Sequence, residues 1–152
     1  MSNSILPFDD TPKYGDRGSY LLLLYLKRQR NITIGGLGTV KFTNGYYIYV
    51  GSAMRNLSAR IARHLRKRKR LYWHIDYLLQ VADSVTPLPI RSSEKMECRI
   101  AEALASLLPP GPEGFGSSDC NCPTHLFRSK KNPLRSISFH NLLQRFRMRH
   151  PA

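Results

Sequence analysis

The sequence predicts a single small α/β (α+β) domain, in which a central, mostly antiparallel sheet of about three strands is flanked by helices. Three observations support this prediction. The chain has 152 residues, which is enough for one hydrophobic core. Its first third carries aromatic, leucine and β-branched runs separated by glycines, as strands do. The chain after Gly51 carries apolar residues at three- and four-residue spacing, which is typical of amphipathic helices.

Three segments predict the strands. Residues 19–26 form a run of Leu and Tyr whose length suits a buried strand. Residues 31–43 are interrupted by glycines and predict either one bulged strand or two short strands joined by a turn. Asn44 and Gly45 form a two-residue hairpin signal before the aromatic and β-branched residues 46–50. Together the segments predict an antiparallel meander that ends at Gly51.

Apolar periodicity predicts three helices after this meander. Asn56 is the expected N-cap of the first helix, whose apolar stripe ends at Leu65. The second helix covers residues 73–81, and the prolines at 87 and 89 then mark a loop or an edge strand. Ser93 opens the third helix, which the prolines at 109, 110 and 112 end.

The charge of the chain favours a polyanionic partner. Lys and Arg number 24 against 10 Asp and Glu, so the net charge is +14, as expected for contact with nucleic acid or an anionic membrane. Much of the charge lies in one basic run, Arg63, Arg66, Lys67, Arg68, Lys69 and Arg70. Such runs hold phosphates without reading bases, which favours nucleic acid, although a solvated surface is the plain alternative. Because no apolar run is long enough to span a bilayer and no secretory signal is visible, we expect a cytoplasmic protein with no membrane partner.

One set of residues has the character of a phosphate-processing site. Tyr49 ends a predicted strand before Gly51, and Arg60 and His64 lie four residues apart on one face of the helix that follows. Arginine neutralises phosphate oxygens, and tyrosine and histidine can each move a proton. The alternative is a tyrosine-rich core strand next to a solvated basic helix.

The order of these motifs resembles the GIY-YIG nuclease superfamily. Gly18-Ser19-Tyr20 precedes Tyr49-Val50-Gly51, and the helix that follows carries Asn56-Leu57, Arg60 and His64. Further segments resemble an uncharacterised archaeal and bacterial branch that is sometimes fused to an endonuclease III–type protein. These segments are Trp73-His74-Ile75-Asp76-Tyr77-Leu78, Glu97-Cys98 and the stretch from Phe115 to Leu126.

The resemblance implies a metal-dependent endonuclease that hydrolyses DNA phosphodiester bonds, in DNA repair or processing. Carried over by position, Tyr49 activates the attacking water or accepts its proton, and Tyr20 lines the same site. Arg60 stabilises charge on the phosphoryl group, and His64 acts as proton shuttle or phosphate ligand. Glu97 is the expected ligand of Mg²⁺ (or Mn²⁺), ions that prefer oxygen donors.

Three positions depart from the family pattern. Ser19 replaces the central Ile of the first motif, and Ser52 follows the second motif where some repair members carry Lys. The last Asn of the pattern has two candidates, Asn121 and Asn132.

A second set of residues has the character of a metal site. Cys98, Cys120, Cys122 and His125 offer three thiols and an imidazole, a ligand set that suits Zn²⁺. The spacing is irregular, and a buried apolar Cys98 is the alternative. His74 and Asp76 are open to either metal binding or a structural role at a helix start.

These observations divide the chain into a flexible N-terminal arm (1–17), a GIY-YIG-like nuclease domain (18–128) and a basic C-terminal tail (129–152) with a short helix over 140–148. DNA is the expected partner, with a repair protein as a further one. Two alternatives stay open, namely a non-catalytic nucleic-acid-binding module and a zinc-stabilised adaptor of a repair complex.

Overall fold

A computed structural model describes residues 15–148 of the protein, and the predicted N-terminal arm therefore lies mostly outside the described residues. Within this range four strands come first along the chain, two helices follow, and strands and helices alternate only after them. The strands are β1 (Gly18–Leu26), β2 (Arg30–Ile34), β3 (Gly38–Phe42), β4 (Gly45–Ala53), β5 (Ser84–Arg91) and β6 (Leu126–Ser129). The helices are α1 (Leu57–Leu65), α2 (His74–Leu79), α3 (Glu97–Ala105) and α4 (Ile137–Arg147).

The central sheet has four antiparallel strands in the order β5-β1-β4-β6, which confirms the predicted fold class and adds one strand to the expected three. Strands β2 and β3 form a separate two-stranded sheet. The predicted continuous meander is therefore wrong, and Asn44-Gly45 does not join two paired strands. The reason is that β4 pairs with β1 along nine residues, from Gly45 opposite Leu26 to Ala53 opposite Gly18. This long pairing outweighs the local preference for a hairpin between β3 and β4.

Both faces of the central sheet are covered, which explains why β1 is apolar without alternation. Its even-numbered side chains, from Tyr20 to Leu26, face β2, β3, α1 and α2. Leu21 and Leu23 face the other way, toward α3 and α4. A strand that is buried on both faces has apolar residues at every position, so its sequence is a continuous apolar run.

Two helices begin differently from the prediction. Asn56 stands at the N-cap of α1 with a positive φ of 53° and makes no side-chain cap bond. Asp16 caps this helix instead, because its carboxylate accepts hydrogen bonds from the Ser58 backbone N–H at 3.0 Å and from the Ser58 hydroxyl at 2.8 Å. Helix α3 begins at Glu97 rather than near Ser93. The backbone before it is held in a non-helical path by Met96 N–H, which donates to the Ser19 hydroxyl on β1.

The basic C-terminal segment carries α4, whose apolar face lies in the core under α3 and β5. Four of its side chains are buried there, Phe139, Leu142, Leu143 and Phe146. The domain therefore continues through Arg147. Within residues 15–148, no helix combines the length and the apolarity that crossing a lipid bilayer requires.

Candidate functional site

A cleft of about 550 Å³ opens on the α1 and α2 side of the sheet. Its walls come from β1, β4, the start of α1, the loop before α2, the start of α3 and the loop before β6. The lining residues that carry chemistry are Tyr20, Tyr49, Ser52, Arg60, Tyr72, Trp73, His74, Lys95, Glu97 and Asp119. Four of the five residues predicted as catalytic are among them, and His64 lies behind Tyr20.

Strand pairing places the two tyrosines side by side. Tyr20 on β1 lies opposite Gly51 on β4, and Tyr49 lies opposite Leu22. The ring of Tyr20 crosses over Gly51, where an added Cβ would be only 2.5 Å from the Tyr20 hydroxyl. A glycine is therefore required as the last residue of the second motif, so that the tyrosine of the first motif can reach the cleft. The ring centroids of Tyr20 and Tyr49 are 6.4 Å apart.

Both phenols are protonated at neutral pH. Burial raises the pKa of Tyr20 to about 12, although Arg60 opposes the shift. Burial also raises the pKa of Tyr49 well above its ordinary value. A hydrogen bond of 2.8 Å joins the Tyr20 hydroxyl to Nε2 of His64. Since His64 is 2% exposed, burial lowers its pKa to about 4, and its imidazole is neutral. This neutral imidazole positions the Tyr20 hydroxyl from behind.

Arg60 reaches the cleft from α1 along the face of Trp73. Its guanidinium carbon lies 4.4 Å from the centroid of the indole, and Nη1 donates to the backbone carbonyl of Ser52 at 3.2 Å. These contacts fix the guanidinium at the cleft wall, and no acidic side chain among residues 15–148 forms an ion pair with it. The positive charge is therefore available for an anion in the cleft.

Glu97 begins α3 on the opposite wall, with its side chain 15% exposed. Oε1 accepts a short hydrogen bond from the Ser52 hydroxyl and lies 3.5 Å from Lys95 Nζ, while Oε2 lies 3.4 Å from His125 Nδ1. Burial alone would raise the pKa of Glu97, but the contacts with His125 and Ser52 outweigh it and lower the pKa. The carboxylate is therefore ionised at neutral pH and is linked to Arg60 through Ser52.

In the segment from Tyr72 to Asp76, the last residue has a structural role. Asp76 is fully buried and accepts hydrogen bonds from both Nη atoms of Arg63 at 3.0 Å and from the backbone N–H groups of Tyr72 and Trp73 at 2.8 and 2.9 Å. His74 lines the cleft, and its Nδ1 accepts from the backbone N–H of Gly116 at 2.9 Å. Of the two roles expected from the sequence, metal binding or a structural role at a helix start, Asp76 therefore has the structural one. His74 joins the loop before β6 to the cleft wall.

The basic run after α1 divides into two groups. Arg63, Lys67 and Lys69 are tied to the protein, through Asp76 and through backbone carbonyls. Arg66, Arg68 and Arg70 are exposed. The second group, together with the exposed but hydrogen-bonded Lys67, is therefore the part of the predicted nucleic-acid-binding set that faces solvent.

The predicted metal cluster is assembled in space. Cys98 on α3 meets Cys120, Cys122 and His125 of the loop before β6, and their four ligand atoms lie within 4.8 Å of one another. These residues could hold a metal ion, and three thiols with one imidazole suit zinc. Burial, with the neighbouring thiols of Cys98 and Cys120, raises the pKa of Cys122 to about 12. A divalent cation would reverse this preference for the neutral thiol.

Neither candidate for the last Asn of the GIY-YIG pattern lines the cleft. Asn121 lies on the cysteine side of the loop, and Asn132 accepts a hydrogen bond from the backbone N–H of Leu134. Tyr72 and Lys95 also line the cleft, and neither was predicted from the sequence. Their positions immediately before Trp73 and two residues before Glu97 were the available signal.

Comparison with known proteins identifies a family. Neither a search of curated proteins nor a search of solved structures gave a match. A family model described as "Domain of unknown function DUF123" matches residues 19–148, which include the sheet, the cleft, the cysteine cluster and α4. The chain therefore belongs to the DUF123 family.

Proposed function

We propose that this protein is a metal-dependent DNA endonuclease of the GIY-YIG type. One observation carries the proposal: Tyr20, Tyr49, Arg60 and Glu97 come from four separate elements and line the same cleft. The ordered motifs would have no reason to converge if each served only its own strand or helix. The net charge of +14 supports a polyanionic substrate.

The acidic side of the cleft fits a magnesium ion. Glu97 is ionised and partly exposed there, and Asp119 also lines the cleft. Magnesium is usually held by one or two carboxylates together with water and substrate phosphate, so this donor set is sufficient. When bound, the ion would supply Lewis-acid stabilisation of the phosphate oxygens.

The proposed reaction is hydrolysis: a water oxygen attacks phosphorus, one phosphorus–sugar oxygen bond breaks, and the proton that the water loses passes through solvent to the departing sugar oxygen. Because burial raises its pKa, Tyr49 acts as a phenol that orients this water by a hydrogen bond. Tyr20 contacts the same region, and His64 holds its hydroxyl in place. His64 is buried, so a positioning role fits it better than direct contact with phosphate.

Arg60 supplies the positive charge on the other side of the phosphate. Its guanidinium is held by Trp73 and by the Ser52 carbonyl before any substrate arrives. Such preorganised charge stabilises the transition state without reorganisation. Removal of one group of this kind costs about 100- to 1000-fold in rate.

The rim of the cleft offers a surface for the nucleic acid. Tyr72 is 75% exposed and lies edge-on to Trp73, with ring centroids 5.3 Å apart. An exposed aromatic ring at a phosphate site suits stacking on an unpaired base. Arg66, Arg68 and Arg70 are exposed in the segment between α1 and Tyr72 and add positive charge to the surface.

The test is cleavage of supercoiled, nicked and branched DNA by purified protein with Mg²⁺, with EDTA as the metal-free arm. Arg60→Ala and Glu97→Gln are expected to lower the cleavage rate at least about 100-fold. Glu102→Gln is the matched control for the carboxylate, because Glu102 is exposed on the same helix and does not line the cleft. Arg99→Ala, also exposed on α3, is the control for a lost guanidinium.

Two results would contradict the proposal. Salt-sensitive DNA binding with no turnover on any substrate would identify a non-catalytic binding module. Equal cleavage by the wild type and Arg60→Ala would show that the site to which Arg60 belongs does not carry out the cleavage.

A further inference from the structure

The cysteine cluster has the dimensions of a tetrahedral metal site. With Zn–S near 2.3 Å and Zn–N near 2.1 Å, tetrahedral angles place nitrogen and sulfur ligands roughly 3.6 Å apart. Nε2 of His125 lies 3.5 Å from Cys120 Sγ and 3.9 Å from Cys98 Sγ. All four ligand atoms lie within 4.8 Å of one another, so a small contraction around a cation completes the site.

The other nitrogen of His125 faces Glu97. Nδ1 is buried, and among the residues described (15–148) it has no hydrogen-bond partner of normal geometry. The nearest carboxylate oxygen is Oε2 of Glu97, at 3.4 Å. A histidine that ligates a metal through one nitrogen commonly donates its other N–H to a carboxylate, which fixes the tautomer and strengthens the ligand.

We propose that Cys98, Cys120, Cys122 and His125 bind one structural zinc ion, and that Glu97 positions the histidine ligand. Three thiolates favour zinc over the hard cation expected in the cleft. The zinc site would fasten the loop before β6 to the start of α3. That loop also supplies Gly116 and Asp119 to the cleft wall, so the zinc site supports the cleft.

The sharing of Glu97 follows from helix geometry. Glu97 and Cys98 are consecutive at the start of α3, and consecutive helical residues point about 100° apart. Glu97 therefore faces the cleft, while Cys98 faces the thiols of the loop. One carboxylate can then contact both sites, with Oε1 toward Ser52 and Lys95 and Oε2 toward His125.

The first experiment measures zinc in the full chain purified without chelators. We expect one zinc per chain by elemental analysis, and cobalt substitution should give the thiolate charge-transfer and tetrahedral d–d absorption bands. Cys98→Ser and Cys122→Ser should lose the metal, whereas Asn121→Ser, an exposed change between two ligands, should retain it. A metal-free wild type with reduced thiols, or one in which two thiols form a disulfide, would overturn the proposal without relying on a variant that folds.

The second experiment tests the positioning role by competition for zinc with a chromophoric chelator. Glu97→Ala should weaken zinc binding about 10- to 100-fold, as loss of a carboxylate behind a ligand does. Glu97→Gln retains an oxygen acceptor for the His125 N–H, so it should bind zinc nearly as the wild type does. Glu102→Ala is the matched control on α3 and should change nothing. Equal zinc affinity in Glu97→Ala and the wild type would refute the positioning role.

The readouts separate this inference from the nuclease proposal, on which it does not rest. Full zinc content in a protein that cleaves no DNA leaves the zinc site standing. DNA cleavage by a protein that never contains zinc would support the nuclease proposal and refute the zinc site.

Discussion

Substitution of Asp76 by alanine should destabilise the fold more than any other single loss of charge near the cleft. The carboxylate is fully buried and accepts four hydrogen bonds, two from Arg63 and one each from the backbone of Tyr72 and Trp73. Its removal leaves two backbone N–H groups unsatisfied and a half-buried guanidinium without its partner. Breaking such a buried pair costs about 3–5 kcal/mol. For a domain of this size that corresponds to a fall in Tm of roughly 10–20 °C.

The effect should depend on pH with a definite sign. Burial alone would raise the pKa of Asp76, but the hydrogen bond from Arg63 and those from the Tyr72 and Trp73 backbone outweigh it and lower the pKa. Because the folded pKa is lower than the unfolded value near 3.9, the carboxylate stabilises the fold fully above that pH. Its contribution is lost as the pH falls through the folded pKa. The stability gap between the wild type and Asp76→Ala should therefore narrow in acid.

The assay is thermal and urea unfolding of both proteins from pH 7 to pH 3, followed by circular dichroism. Asp83→Ala is the matched control, since Asp83 is exposed and accepts one hydrogen bond from the backbone of Lys27. It should cost no more than about 1 kcal/mol. If Asp76→Ala loses as little stability as this control at pH 7, the buried network does not hold Tyr72 and Trp73 in place.

Three further predictions concern the cleft and its surroundings. Gly51→Ala should displace the Tyr20 ring, lower the free energy of unfolding by about 1–3 kcal/mol and abolish cleavage. Gly36→Ala is the control, because no atom lies within 4 Å of the added Cβ, and it should leave the cleavage rate and Tm near those of the wild type. NMR titration should show that His64 stays neutral down to a pH of about 4. Because burial lowers the pKa of His64 in the folded state, the neutral imidazole contributes about 3 kcal/mol to the free energy of unfolding above the unfolded pKa near 6.5. This contribution is lost as the pH falls toward 4. A His64 resonance that titrates near 6.5 would contradict this burial. Arg66→Ala should weaken DNA binding and reduce the slope of log K against log salt by about one, and an unchanged slope would place DNA elsewhere.

The parts of the fold that could be predicted are those fixed by local chemistry. The apolar run of β1 indicated a buried strand, and the stripe on α1 indicated a helix that ends at Leu65. Tyr49, Gly51 and Arg60 reach the cleft because strand pairing and helix periodicity decide where they point.

The errors arose where distant segments decide the local structure. Asn44-Gly45 has the sequence of a hairpin turn, but β4 gains nine paired residues by joining β1. Asn56 has the sequence of an N-cap, but Asp16 from the preceding segment supplies the bonds. Neither partner lies within the sequence window that a turn or capping motif covers.

In the candidate site too, contacts between distant segments decide an arrangement that the sequence did not predict. Glu97 and Cys98 were predicted to belong to two different metal sites, and the structure places them at two adjoining clusters. Spacing alone gave no sign that His125 would lie between them, with one nitrogen toward the thiols and the other toward the carboxylate. Because a carboxylate that orients a histidine is less free to follow a second cation, Glu97 cannot be optimised for one cluster independently of the other. A nuclease with this arrangement would need the loop before β6 in place to position Glu97, and the thiol cluster can hold that loop together with the hydrogen bond from Gly116 to His74.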